Sequence, residues 1–432
     1  MPTTTCYRKV YALIDCNNFF VSCERLFRPD LWQRPVIVLS NNDGCVVARS
    51  AEVKALGIKM GTPVFKIQDL ILKKHIVCFS SNFNLYLDIS QRIMRLLDSM
   101  YPEVLVYSVD EAFVILRQVS ADDAYSQACR IKKAVERIIG IPVSLGVATS
   151  KTLAKIASHQ AKTHPELQGV CALFDKAQCR RVLHQLPIGE IWGIGRRLEE
   201  KLSSLQIKTA GQLAATDANA MKKRFSIVLW RTIQELRGYD EIKELPPDHL
   251  QQQIMWSRSF RERLLTEEAL GVALCGFAAK AAQRLRELKL YCSLLTIYIR
   301  TSYFTQDKRY QASLSLRFDH PTADSRTILT AVNILLTRIF KPGFAYAKAG
   351  VILSELRASR THQGDLFTKE QSAQEQRQSD NLMELIDKLN AQNGVKLYFG
   401  AQGRHEQIKE STDKRLLSPA YTTSFHALPE LF

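Results

Sequence analysis

At 432 residues the chain exceeds what one hydrophobic core organises, so about two to four domains are expected. Hydrophobic residues at 46% and charged residues at 24% are ordinary globular values, which excludes a wholly disordered or membrane-embedded chain. A formal charge of +16 is far from ordinary and favours a polyanionic partner such as nucleic acid, with basicity for solubility alone as the alternative.

Val10 to Ile14 is a short apolar run rich in β formers that ends at Asp15, which predicts a buried strand with a carboxylate at its end. Pro35 to Ser40 predicts a second strand, with Asn41 to Gly44 as a hairpin turn whose Asp-Gly pair tolerates positive φ and Cys45 to Ala48 as the return. Between Asn84 and Met100 apolar residues recur at helical spacing, and Pro102 follows the break. Val104 to Val109 and Ala112 to Leu116 flank Asp110 and Glu111, which predicts two strands meeting at an acidic tip. A helix over Ala124 to Ile138 and a strand over Val143 to Ala148 complete a split βαβ order, an antiparallel sheet backed by helices.

Residues 169 to 240 predict short helices, with Gly193-Ile194-Gly195 between two helical patterns, and 241 to 252, rich in charge and containing Pro246 and Pro247, predict a linker. A second split βαβ unit follows: a strand near Ile254 to Phe260, a helix over Glu267 to Leu288, strands over Ser293 to Arg300 and Gln311 to Phe318, a helix over Ser325 to Phe340, and a strand over Ala347 to Leu353. The polar tail from about Ala358, Gln-rich near Gln371 to Gln378, is expected to be partly disordered.

Asp15, Asp110 and Glu111 can therefore converge on one sheet edge, where three carboxylates repel one another unless cations neutralise them. Hard oxygen ligands in that number suit Mg²⁺, and two ions about 3.5–4 Å apart would serve an in-line displacement at phosphorus. The ten cysteines include no C-x-x-C or C-x-x-H pair, no stretch reaches the roughly 18 apolar residues of a membrane span, and the N-terminus lacks a signal-like pattern. Reduced thiols, a cytoplasmic location and no membrane partner are expected.

Three runs, Asp15-Cys-Asn-Asn-Phe-Phe-Val-Ser-Cys-Glu24, Ser108-Val-Asp-Glu-Ala-Phe113 and Ser150-Lys-Thr-Leu-Ala-Lys-Ile-Ala157, resemble in order the defining motifs of Y-family translesion DNA polymerases. Ser40 to Cys45, Ala48 to Gly57, Trp192 to Arg197 and Lys414 to Thr423 are similar to the UmuC type of that family, the catalytic subunit of bacterial DNA polymerase V. The resemblance covers essentially the whole chain. It implies an α+β, right-hand polymerase with a palm at 1–18 and 84–168, fingers at 19–83, a thumb at 169–240, a little finger at 253–358 and a C-terminal tail at 359–432.

The activity implied is template-directed, error-prone DNA synthesis from dNTPs across lesions in the SOS response, with two Mg²⁺ ions held by Asp15, Asp110, Glu111 and the carbonyl of Cys16. Phe20 falls where the family places an aromatic steric gate beneath the sugar 2′-position, a core Phe being the alternative. Arg49, Lys54 and Lys162 would face the triphosphate; many relatives carry a Tyr and an Arg where this chain has Ala51 and Lys54, and Lys lacks the bidentate fork of Arg.

Gly193 and Gly195 resemble a helix-hairpin-helix that holds a DNA phosphate, although Gly pairs also make ordinary helix turns. Leu295, Ile297 and Ile299 alternate with Thr296, Tyr298 and Arg300, and Gln311, Ser313, Ser315 and Arg317 alternate likewise on the next strand, so Arg300 and Arg317 would lie on a polar sheet face that either follows the DNA backbone or is merely solvated. Gln363, Leu366 and Phe367 resemble a sliding-clamp-binding peptide, with Gly364 in place of the usual apolar second residue. The closing Leu428 to Phe432 has a similar ending, better read as a hydrophobic terminus. Beyond primer-template DNA and the clamp, the resemblance implies a processed UmuD dimer and a RecA filament as partners.

A polymerase IV-type enzyme, a non-catalytic DNA- and clamp-binding relative, and a nucleotide cyclase are the competing readings. The intact carboxylates weigh against the adaptor, and the second split βαβ unit has no role in a cyclase. Primer extension across an abasic template, with and without the expected partners, discriminates among them.

Overall fold

The computed structural model describes residues 6–243, 251–303, 308–358, 373–392, 397–403 and 415–424. They divide into two units, one formed by Met1–Glu244 with Thr412–Phe432 and the other by Leu245–Ser411.

In the first unit the strands are β1 (Cys6–Cys16), β2 (Val36–Leu39), β3 (Val46–Arg49), β4 (Val77–Ser80), β5 (Val104–Val106), β6 (Glu111–Ser120), β7 (Val143–Ala148) and β8 (Val170–Leu173). The main sheet has the order β5-β6-β1-β7-β8, so β1 lies at its centre. Val10, Ala12 and Ile14 point to one face and pack on the helices Phe83–Met100 and Ala121–Ile138. Tyr11 and Leu13 point to the other and pack on the helix Lys151–Thr163 and on the short helices beyond it. Every residue from Val10 to Ile14 is consequently buried, which is why this strand is a continuous apolar run and does not alternate.

A smaller sheet, β3-β2-β4, encloses its own core around Ile37, Leu39, Val46 and Val53. The positive φ angles of the 41–44 turn fall on Asn42 (63°) and Asp43 (50°), while Gly44 is right-handed, so the Asp-Gly expectation is displaced by one residue. The stretch 170–173, expected among short helices, is instead β8: the free parallel edge of β7 supplies its hydrogen bonds after the helix Lys151–Thr163 crosses over. The helices Lys176–Gln185, Arg196–Ser204, Ala210–Ala215, Ala218–Arg224 and Ile227–Leu236 follow.

The second unit contains β9 (Gln253–Leu264), β10 (Tyr291–Thr301), β11 (Gln311–Thr322) and β12 (Tyr346–Arg357) in the antiparallel order β11-β10-β12-β9. The helices Glu267–Glu287 and Ser325–Ile339 cover one face, burying Leu295, Ile297 and Ile299. A third helix, Ala373–Ala391, occupies part of the tail expected to be partly disordered. Its anchors explain the order: Met383 is buried, Asp387 takes a two-pronged hydrogen bond from Arg286 at 2.6 and 2.7 Å, and Ser379 donates to Asp324 at 2.6 Å. Residues 415–424, also within the expected tail, belong to the first unit.

Candidate active site

Asp15 and Glu111 are direct cross-strand partners at the ends of β1 and β6, and the Cys16 amide donates to the Asp110 carbonyl at 2.9 Å. Strand register alone thus gathers Asp15, Asp110 and Glu111 at one sheet edge. Ser108 Oγ donates to Asp110 Oδ1 at 2.6 Å, fixing one carboxylate within its own turn. The Lys162 ammonium pairs with Asp15, and Lys155 Nζ forks across both oxygens of Glu111 at 3.0 and 3.1 Å. Burial pushes the Asp15 carboxyl above the ordinary range, and the Asp110 charge adds to that against the opposing pull of Lys162. Burial raises Glu111 likewise, opposed by Lys155.

Among the described residues no three acidic, His or Cys groups are placed to hold a metal ion together, and two of the carboxylates are paired with lysines. The donor set nevertheless fits hard divalent cations. The carboxylates are mutually repulsive oxygen donors, and lysine ammonium groups supply the positive charge they require. Cys16, whose carbonyl was expected beside them, is buried in the strand, with its thiol pushed up by burial.

Lys155 was missed by the sequence reading. It lies seven positions before Lys162 on the helix Lys151–Thr163, two turns along one helical face, and this spacing is the signal that could have revealed it. Its ammonium also sits 4.4 Å from the ring centre of Tyr107 and 5.2 Å from that of Trp192. Trp192 Nε1 donates to the Tyr107 hydroxyl at 2.9 Å, so the glycine hairpin is tied to the acidic edge.

Lys54 lies within electrostatic reach of both Arg49 and Lys162. Burial lowers the Lys54 ammonium, the charges of Lys162 and Arg49 push it the same way, and Asp15 opposes them. The Arg49 guanidinium donates to the Ile58 carbonyl, and its Nε is buried without a hydrogen-bond partner.

Phe20, on the helix Phe19–Leu26, is only partly buried. Its ring lies flat on Tyr86, with centroids 4.5 Å apart and planes at 12°, and meets Phe83 edge-on at 6.0 Å. Gly193 has φ +88°, a conformation that glycine adopts without strain, and Gly195 precedes the helix Arg196–Ser204 as its N-cap.

In the second unit, Arg300 stacks its guanidinium 4.4 Å from the Tyr303 ring centre, while Arg317 is exposed and pairs with Glu355. Both belong to the sheet face that the helices leave open. Gln363, Leu366 and Phe367 lie outside the described residues. No helix among the described residues is long and apolar enough to cross a membrane, and the ten cysteines are all free thiols.

Residues 14–159 match the impB/mucB/samB family, 177–207 the HHH motif of that family, and 251–366 its C-terminal domain. Residues 380–431 match a domain of unknown function (DUF4113). The chain is 41% identical to protein UmuC of Salmonella typhimurium and 40% identical to protein ImpB of the same organism, in each case over 97% of this chain and 99% of the relative. DNA polymerase IV of Moorella thermoacetica is 31% identical over 86% of this chain and 92% of its own. A solved Y-family DNA polymerase chimera of Dbh and Dpo4 shares the fold with a TM-score of 0.64 at 21% identity, covering 80% of this chain and 98% of its own. Identity over nearly the full length of both chains, joined to an acidic edge built on β1 and β6, places this chain in the impB/mucB/samB family of Y-family DNA polymerases, with the UmuC type.

Proposed function

We propose that this error-prone, translesion DNA polymerase of the SOS response adds nucleotides at an active centre formed by Asp15, Asp110 and Glu111, with two Mg²⁺ ions as cofactors. The observation that carries the assignment is the register pairing of Asp15 with Glu111 beside Asp110, with Asp15 and Glu111 each drawing a lysine ammonium. The same three carboxylates, with the Cys16 carbonyl, would hold the ions. When bound, such ions activate a primer 3′-hydroxyl and neutralise a pyrophosphate leaving group.

The protein's own groups do the rest. Arg49, Lys54 and Lys162 counter triphosphate charge in a partly desolvated pocket, where fixed cations act more strongly than in water. Lys155 balances Glu111. The Phe20 ring, supported from behind by Tyr86, limits the space beneath the sugar. The hairpin amides at Gly193 and Gly195 hold a DNA phosphate, and Arg300 and Arg317 follow the backbone from the open sheet face. Gln363, Leu366 and Phe367 engage a sliding clamp, and a processed UmuD dimer and a RecA filament complete the partners.

Asp110→Ala should reduce nucleotide incorporation by about a thousandfold or more while primer-template affinity stays within about twofold, because a carboxylate at the reacting edge is lost and no phosphate contact is. Full extension activity in that variant would sink the assignment.

A further inference from the structure

Residues 415–424, which fall inside the matched domain of unknown function, dock on the first unit against Ser80, Asn82, Glu24 and Phe27. Leu416 pairs with Ser80 through its carbonyl at 2.9 Å and its amide at 3.1 Å. Tyr421 is buried and stacks on Phe27 with centroids 4.6 Å apart and planes at 6°.

Between these anchors, Ser418 Oγ accepts from Asn82 Nδ2 at 2.9 Å and donates to Glu24 Oε1 at 3.2 Å. The same Glu24 oxygen accepts from the Tyr86 hydroxyl at 2.6 Å, and the Asn82 side chain caps the helix that carries Tyr86. Glu24, Asn82 and Ser418 are all buried, and the Ser418 hydroxyl links the other two where no bulk water replaces it. Tyr86 in turn bears the flat face of Phe20.

We propose that the 415–424 segment is a positioning element of the nucleotide pocket: Ser418, acting through Glu24 and Tyr86, sets the plane of the Phe20 ring and with it discrimination between deoxyribose and ribose. This rests on the reading of Phe20 as the steric gate. Ser418 touches no substrate; it removes rotational freedom from the surface on which the gate ring lies. A ring free to tilt admits the extra 2′-hydroxyl without losing deoxyribonucleotide addition.

The test compares dATP with ATP on the full-length chain, as the ratio of kcat/KM in primer extension and as the ratio of affinities on a dideoxy-terminated primer-template, which needs no turnover. Phe20→Ala, Ser418→Ala, Ser418→Thr, Tyr86→Phe and the Phe20→Ala/Ser418→Ala double variant are measured together. Ser418→Ala should narrow the ratio by about fivefold, the worth of one hydrogen bond, with dATP use within about twofold. Tyr86→Phe, which keeps the ring but loses its donor, should shift the ratio in the same direction, and Ser418→Thr, which keeps the hydroxyl, should leave it at the parental value. The double variant should match Phe20→Ala alone, since both act through one ring. If Phe20→Ala narrows the ratio and Ser418→Ala leaves it unchanged, the positioning role is overturned and the gate stands. If Phe20→Ala itself leaves the ratio unchanged, the gate is overturned and the positioning role with it.

Discussion

The central sheet of the first unit and the sheet of the second are both backed by helices in a split βαβ pattern, yet they use their surfaces differently. The first is covered on both faces, so β1 is apolar at every position from Val10 to Ile14 and its carboxylate appears only at the strand end, at Asp15. The second is covered on one face, so Leu295, Ile297 and Ile299 are buried while Thr296, Tyr298 and Arg300 between them stay partly exposed. A doubly covered sheet presents a point and a singly covered sheet presents a plane. The reacting centre proposed above draws on the first, and the proposed surface for a polyanion over several nucleotides draws on the second.

Tight coverage of the first sheet predicts its sharpest intolerance. A Cβ at Gly146 on β7 would overlap the backbone of Ala154 and Ser158 in the helix Lys151–Thr163. Gly146→Ala should therefore destabilise the first unit by about 3 kcal/mol, read by calorimetric unfolding. Gly276, inside the helix Glu267–Glu287 of the second unit, faces open space, and Gly276→Ala should stabilise that unit by about 0.5–1 kcal/mol. Equal responses at the two sites would dissolve the contrast.

A buried charge in the first unit sharpens it next. Burial pushes the Glu24 carboxyl up to about 6 from 4.5, despite the hydrogen bonds from Tyr86 and Ser418. The folded state then holds this proton more tightly than the unfolded chain. Stability is lost as pH rises through the 4.5–6 window, by about 2 kcal/mol in all. Glu24→Gln cannot titrate, so its melting temperature relative to the parent should climb between pH 5 and pH 8. A constant difference across that range would show that Glu24 keeps an ordinary affinity for its proton.

The smallest effect belongs to the open face. Arg300→Ala and Arg317→Ala should each weaken primer-template binding by about three- to tenfold and lower the salt dependence by about one counterion, without moving the unfolding temperature. Unchanged salt dependence would make this face a solvated surface.

Elements governed by short spacings were legible before any coordinates. Helical recurrence marked Phe83–Met100 and Ala121–Ile138, and period-two alternation marked β10 and β11, because both patterns record which residues face a core. Asp15, Asp110 and Glu111 stood out for the same reason, as acidic residues at the ends of apolar runs. The strand β8 did not, since four apolar residues fit a helix or a strand equally well until β7 offers an edge.

The sequence by itself determined the two sheet-and-helix units, the three carboxylates and the family, since each is written in local periodicity or in contiguous motifs. Tertiary structure alone decided that Lys155 and Lys162 turn onto Glu111 and Asp15, and that Ser418 reaches Glu24 across a separation of 394 residues. Such contacts follow no sequence period. They form where the folded chain closes buried polar groups on one another, and only the whole fold specifies which groups those are.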